Sequence, residues 1–436
     1  MVKLLKYLPF IGLSLARKQA LFTNDELQRY VDQYKGQRIL KIQDPLKNVK
    51  FLKTLENDGK IDIWSNSFKN FEISIDANSE VFDVLKEKSI DFRVKVEDLA
   101  VPIRKSLPKM MTSPTNDAEF DFTRYHNTEE IYNWCDATAN SYDFFKVSSL
   151  GETFEGRDHK LVTISKNPSA EYNVVFLSAI HAREWISPAS TIKFFNNLLT
   201  NPDYDIYLEN INWYWVPVMN PDGYEYTWTD DRLWRKTRQV YNNTFCVGAD
   251  PNRNYPIETE DWYHSEGASD NPCSSTYRGM APLQEKISGN LDRFINSLKS
   301  EGKTIDAFMD VHSYSELMLF PFGYKYDYPD NYEDLYSIAE SMVSKIESTK
   351  TSIPGGKWQY GTTSDVLYVA SGVTTDYLYE RYDVKCSFTA ELRPNGDDPD
   401  GYGFIIPERY IIPVSEEMTN AYIDLAQAVL EARCRT

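Results

Sequence analysis

An α/β fold, with a mixed, mostly parallel sheet flanked by helices, is what residues 119–436 of this 436-residue chain predict, behind a linker and a smaller α+β unit. Three observations carry the prediction. Apolar, β-rich runs recur at 172–180, 211–218, 305–311 and 386–390. Helix-like segments intervene at about 188–200, 284–299, 331–350 and 415–433. Strands separated by helical segments favour parallel pairing with both sheet faces covered. Residues 38–98, by contrast, show a shorter rhythm of their own.

The elements follow in chain order. Residues 1–16, MVKLLKYLPFIGLSLA, read as a signal peptide: Lys3 and Lys6 give a positive start, Leu8 to Leu15 a short apolar stretch, and Ser14-Leu15-Ala16 small residues before a cleavage point. The stretch is too short for a membrane span. Within a domain expected over 22–103, RILKIQ, KIDIWSNS, NFEISID and IDFRVKVEDL are strand-like, while PLKNVKFLKTLEND and SEVFDVLKEKS are helix-like. Their β-α-β-β-α-β order matches a small ferredoxin-like unit. Residues 104–118, RKSLPKMMTSPTNDA, lack an apolar period and read as a linker open to proteolysis, with Arg104-Lys105 a weak processing hint.

Composition narrows the class. A net charge of −18 with no basic stripe argues against a nucleic-acid partner, and no segment of the chain reads as a membrane span. Five cysteines suit an oxidising route without a disulfide-dense scaffold. Cys246 and Cys273 share one loop-rich stretch and are the expected pair. Cys135 and Cys434 can pair if the first and last helices of the large domain are neighbours, and Cys386, inside a strand-like run, is expected as a buried thiol. Asn242-Asn243-Thr244 is a glycosylation sequon.

Ligands in such sheets bind beyond the carboxyl ends of strands. His181 and Glu184 follow the 172–180 run at once, His312 follows 305–311, and Glu391 follows 386–390. Two of the five histidines and two carboxylates thus arrive at one sheet edge. An H-x-x-E pair alone is as consistent with a solvated turn. Two imidazoles and one carboxylate, with water completing the shell, form a known catalytic zinc set.

The ordered motifs HAREWISPAS, NPDGYEYTW, DRLWRKTR, CVGADPNRN, VHSYSELMLFPFGY, LYVASG and FTAELR resemble the A-type, pancreatic-like zinc metallocarboxypeptidases, from RYHNTEEIYNW near 125 to FIIP at 404–407. The resemblance implies a carboxypeptidase-like catalytic domain over 119–436 and an inhibitory propeptide before it. It implies one zinc ion on His181, Glu184 and His312, with Asp250 orienting the first histidine. Glu391 matches the general base and later acid. Arg235 matches the group that stabilises the oxyanion. Asn252 and Arg253 match the clamp on the substrate's C-terminal carboxylate, a task suited to a guanidinium fork, and Tyr368 the mobile tyrosine that closes over it. Arg183, Tyr314 and Phe404 match substrate-groove residues.

For the specificity pocket, relatives that prefer basic C-terminal residues carry an acid where this chain has Thr375. The matching positions Leu319, Thr363, Leu367, Ala370 and Thr389 are uncharged too, so aliphatic or aromatic C-terminal residues are expected. Val373 stands where the animal digestive members usually have glycine, and Pro394 opens an acidic insertion over 394–401. The expectation is a secreted or vacuolar, monomeric zymogen that removes single C-terminal residues from peptides or proteins after an activating protease cuts it. A catalytically silent zinc- or peptide-binding relative, held by its propeptide, is the alternative.

Overall fold

The computed structural model describes residues 22–435 apart from 68–69, 77, 108–119, 243, 258–261, 263–265, 354–356 and 396–401. The expected signal peptide, most of the linker and most of the 394–401 insertion therefore lie outside the described residues.

The N-terminal unit is a four-stranded antiparallel sheet. Its strands β1 (Arg38–Ile42), β2 (Asp62–Ser67), β3 (Asn70–Ile75) and β4 (Phe92–Val96) lie in the order β2-β3-β1-β4. Helices Val49–Asn57 and Val81–Glu87 provide the two helical steps of the expected order. Leu40, Leu52, Phe71, Ile73 and Leu85 are fully or almost fully buried and form this unit's own core. Two further helices, Asn24–Asp32 and Ala100–Ser106, flank the unit. The second corrects the linker boundary: Arg104 and Lys105 occupy its last turn. Leu99 and Ile103, four residues apart and buried, anchor that turn, and Pro102 sits early enough in the helix to be tolerated.

The larger unit is built on eight strands: β5 (Phe145–Glu152), β6 (Asp158–Ile164), β7 (Tyr172–Ser178), β8 (Ile211–Val216), β9 (Ala307–Ser313), β10 (Leu317–Phe320), β11 (Gln359–Thr362) and β12 (Cys386–Leu392). Their order is β11-β10-β12-β9-β7-β8-β6-β5. The central four, β12, β9, β7 and β8, are parallel. Toward each edge the pairing turns antiparallel, at β10–β12 on one side and at β8–β6 and β6–β5 on the other. Every residue of β8 and β9 is buried, as a sheet covered on both faces requires. Helices Ile186–Thr200, Tyr332–Ser348 and Ile411–Leu430 pack together on one face, and Lys286–Ser300 covers the other through Ile287, Leu291 and Ile295.

The cysteines pair differently from one expectation. Cys246–Cys273 forms as expected, but Cys386 joins Cys434, leaving Cys135 as the buried free thiol. The C-terminal helix Ile411–Leu430 delivers Cys434 to the start of β12, within a Cα separation of 5.1 Å, which a disulfide accepts. Among the described residues, no helix is long and apolar enough to cross a membrane.

Candidate active site

The site stands at the carboxyl edge of β7, β9 and β12. The chain leaves β7 through Ala179, held in the left-handed region at φ 55°, an unfavourable state for a residue with a Cβ. Three bonds hold it there. Ala179 N–H donates to Ser187 Oγ at 3.1 Å, its carbonyl accepts from Asn220 N–H at 3.1 Å, and Met219 N–H donates to Ser178 O at 2.8 Å. This sharp exit drops His181 and Glu184 into the cleft ahead of helix Ile186–Thr200. His312 lies near the end of β9, and Glu391 is its partner in register on the parallel neighbour β12.

His181 Nδ1, His312 Nδ1 and a Glu184 carboxylate converge. Glu184 Oε1 is 2.8 Å from His181 Nδ1, Glu184 Oε2 is 3.0 Å from His312 Nδ1, and the two Nδ1 atoms are 3.1 Å apart. Two imidazole nitrogens that close repel unless a cation or proton lies between them. Zinc bonds of about 2.0–2.2 Å at tetrahedral angles separate donor atoms by roughly 3.4 Å, within a few tenths of these distances. The far nitrogens are already engaged. With Nδ1 turned inward, Nε2 carries the proton, and His181 donates it to Asp250 Oδ1 at 3.0 Å. The residues present therefore fit one zinc ion, with the imidazole tautomers fixed from behind.

Asp250 does more than hold an imidazole. Its Oδ2 accepts from Arg235 Nη2 at 2.6 Å and Nε at 3.2 Å, and its Oδ1 caps the short turn Pro251–Arg253 by accepting from Asn252 N–H at 2.9 Å. One buried carboxylate thus fixes His181, Arg235 and the Asn252–Arg253 turn together. Although burial opposes its ionisation, the Arg235 guanidinium and His181 hold its carboxyl well below the usual range. Burial acts in the same sense on Glu391 and there prevails, raising it, with His312 opposing the rise and Glu184 adding to it.

Arg253 donates through Nη2 to the Tyr368 hydroxyl at 2.8 Å, through Nε to Gly267 O at 2.9 Å and through Nη1 to Asn252 O at 2.7 Å. The segment carrying Tyr368 lies close because Gly372 has φ 76° and no side chain; a Cβ there would meet Arg253 O at 2.4 Å. Leu319, Thr363, Leu367, Ala370, Val373, Thr375 and Thr389 all line the same cavity. Asp376, next to Thr375, turns away from it and accepts from Gly323 N–H at 2.8 Å and Tyr324 N–H at 3.1 Å. Tyr314 and Phe404 pack edge to face at 5.0 Å, and the Arg183 guanidinium sits 4.0 Å over the Phe404 ring. All the candidate residues on the sequence's list except the disulfide pair thus gather around one cleft.

The N-terminal unit enters that cleft, and here the structure adds residues the sequence did not mark. Asp62 pairs with Arg183. Glu72, fully buried, accepts from the Tyr314 hydroxyl at 2.7 Å and from Lys95 at 2.8 Å. Lys53 Nζ lies 3.4 Å over the Tyr368 ring, and Glu56 accepts from Ser275 Oγ at 3.1 Å. Trp64 packs on Phe404 at 5.1 Å. What remains is a cavity of about 90 Å³. That is room for about three waters and well below the 300 Å³ or more of an ordinary ligand pocket.

Two imidazoles and a carboxylate, braced from behind and set beside a second acid and two arginines, define a mononuclear metallohydrolase centre. Comparison with known proteins makes the class specific. Residues 131–421 match the zinc carboxypeptidase family, peptidase M14. Carboxypeptidase B of Astacus astacus is 38% identical over 68% of this chain and 94% of its own length. Carboxypeptidase A1 of Sus scrofa is 30% identical over 92% of this chain and 95% of its own. The crystal structure of thrombin-activatable fibrinolysis inhibitor aligns at a TM-score of 0.77 and 30% identity, over 91% of this chain and 99% of that one. Carboxypeptidase A from Helicoverpa armigera shares the fold at a TM-score of 0.80 and 24% identity, over 91% of this chain and 98% of that one. The chain belongs to the zinc carboxypeptidase family and is a metallocarboxypeptidase, with zinc as its cofactor.

Proposed function

We propose that this carboxypeptidase is made as a zymogen and, once activated, releases single aliphatic or aromatic residues from peptide C-termini. The observation that carries the reading is the register of Glu391 against His312, which sets a half-buried carboxylate beside the three-donor cluster and within one cleft of Arg253 and Tyr368. Zinc bound by His181, Glu184 and His312 supplies Lewis-acid polarisation of the scissile carbonyl and eases deprotonation of water. Glu391 takes the proton from the attacking water and returns it to the departing amine. Arg235, held by Asp250, donates to the oxyanion as negative charge develops. Asn252 and Arg253 hold the substrate carboxylate, Tyr368 closes over it, and Arg183, Tyr314 and Phe404 line the path of the preceding residues.

The side-chain pocket explains the preference. None of its seven walls named above carries a charge, and the nearby acid, Asp376, is spent on two backbone amides facing away. A lysine or arginine side chain would lose its hydration there without a counter-ion, whereas an apolar one gains by burial.

The N-terminal unit serves as the inhibitor. Asp62 and Glu72 occupy the substrate-facing Arg183 and Tyr314, and Lys53 covers Tyr368. Release requires a protease to cut the 104–118 stretch. Two disulfides among the described residues agree with passage through an oxidising secretory route, to secretion or to a vacuole. The test is to cut purified precursor in that stretch and assay blocked dipeptides with aliphatic, aromatic, acidic and basic C-termini, with and without a chelator. Chelator-sensitive release of aliphatic and aromatic residues only after cutting is expected. Equal activity before cutting removes the zymogen reading, and a preference for basic residues removes the pocket assignment.

A further inference from the structure

A second carboxylate stands behind the metal cluster, at His312 where Asp250 stands at His181. Asp310 precedes His312 by two residues on β9, so both side chains leave the same face of the strand. Its Oδ2 lies 3.1 Å from His312 Nε2. His312 Nδ1 faces Glu184 and His181, so Nε2 bears the proton, and Asp310 is positioned to accept it. The Asn252 amide nitrogen, 3.3 Å away, has no lone pair to offer the same proton. Thr374 Oγ1 donates to the same Asp310 oxygen at 2.5 Å, and Thr374 N–H donates to Asn252 Oδ1 at 2.8 Å. Asp310 is fully buried, and its other oxygen has no hydrogen-bond partner. A carboxylate placed there without a compensating role is costly. The imidazole is its one charged-capable neighbour in hydrogen-bond contact, so their association offsets the burial of both.

We infer that Asp310, held by Thr374, is a positioning residue that orients His312 for zinc, giving this enzyme a carboxylate brace behind each of its two histidine ligands. The inference rests on the zinc site described above. The same Thr374 seats Asn252, so the brace and the clamp on the substrate carboxylate share one anchor. A carboxylate behind a ligating imidazole raises its basicity and fixes its ring, and its loss weakens metal binding by roughly 10–100-fold.

The test uses the full-length chain and zinc alone. Zinc affinity is read by competition with a chromophoric chelator, and the cobalt-substituted protein supplies a visible spectrum. Asp310→Asn keeps the shape and removes the charge; its zinc Kd is expected to rise roughly 10–100-fold and its cobalt bands to shift, while the melting temperature of the zinc-free chain stays near the parent's. A residue that merely fills space would tolerate this swap, so an unchanged Kd and spectrum overturn the inference. Thr374→Val leaves carboxylate and imidazole in place and removes only the hydroxyl donor. A several-fold rise in Kd is expected, and parent-like binding overturns the inference even if Asp310→Asn does not fold. Failure of the parent itself to bind zinc would remove the metal site as a whole, a result distinct from either.

Discussion

The two units of the chain bury charge in opposite ways. In the large unit, buried ionic groups satisfy one another: Asp250 holds His181 and Arg235, and Glu184 bridges His181 and His312. In the small unit, Asp62 and Glu72 reach across and meet Arg183 and Tyr314 of its neighbour. The first pattern is preorganisation: these groups are held by contacts made within the large unit itself. The second is complementarity to a surface that already exists. On the zymogen reading proposed above, removal of the small unit would return Arg183 and Tyr314 to an open cleft and to water, with no charge stranded. That asymmetry is what the proposed removable plug needs, and it gives each half of the comparison its own way to fail.

The largest effect should come from breaking the large unit alone. Glu391→Gln removes the proton acceptor while leaving His181, Glu184, His312 and every contact to the small unit untouched. Hydrolysis by the activated enzyme is expected to fall by roughly 10²–10⁴-fold with zinc content unchanged. Turnover near the parent level, at full zinc occupancy, would reject Glu391 as the base.

Breaking the small unit alone is the second test. Asp62→Asn together with Glu72→Gln removes both carboxylates that reach into the groove. Hydrogen bonds to charged groups contribute roughly 1.5–3 kcal/mol each, and solvent access to Asp62 places its pair at the low end. Residual hydrolysis by the uncut double variant should therefore rise by roughly 10²–10³-fold over the uncut parent. If the uncut variant stays as silent as the parent, these two contacts do not hold the plug.

Much of this was legible before any coordinates. The central strands announced themselves as apolar runs, and after three of the four the next residues, His181 with Glu184, His312 and Glu391, are the ones that meet in the cleft. Strands β10 and β11 escaped because four residues are too few to show a period, and β5, FKVSSLGE, is largely exposed. Helix Ala100–Ser106 escaped because barely two turns carry its two apolar anchors. Cys386 looked like a core thiol because nothing local to a strand says which distant helix will arrive beside it. Nor does a strand-borne Asp62 or Glu72 reveal that it will face another unit instead of water. Asp310 left a trace, an acid two residues before a ligand on one strand face, yet that spacing gains meaning only when Nε2 is seen to point at it.

The third test takes the exception within the large unit. Asp376 is buried like Asp250 but has no cation in contact, only the Gly323 and Tyr324 amides, and one of its oxygens is bare. Burial raises its carboxyl to about 7, with Glu380 adding to the effect and the two amides opposing it. Between the usual carboxylate range and that value, the folded chain holds a proton that the unfolded chain has released. Stability therefore falls as pH rises through this window, by up to about 1.4 kcal/mol per pH unit, or roughly 2–3 °C of Tm per unit in a domain of this size. Asp376→Asn cannot ionise and lacks this slope. Its Tm relative to the parent should climb from pH 5 to pH 8 by a few degrees, in melts of the zinc-loaded protein. Parallel Tm curves across that range would show that Asp376 finds a compensating charge after all. Burial in this unit would then be as fully paired at Asp376 as it is at Asp250.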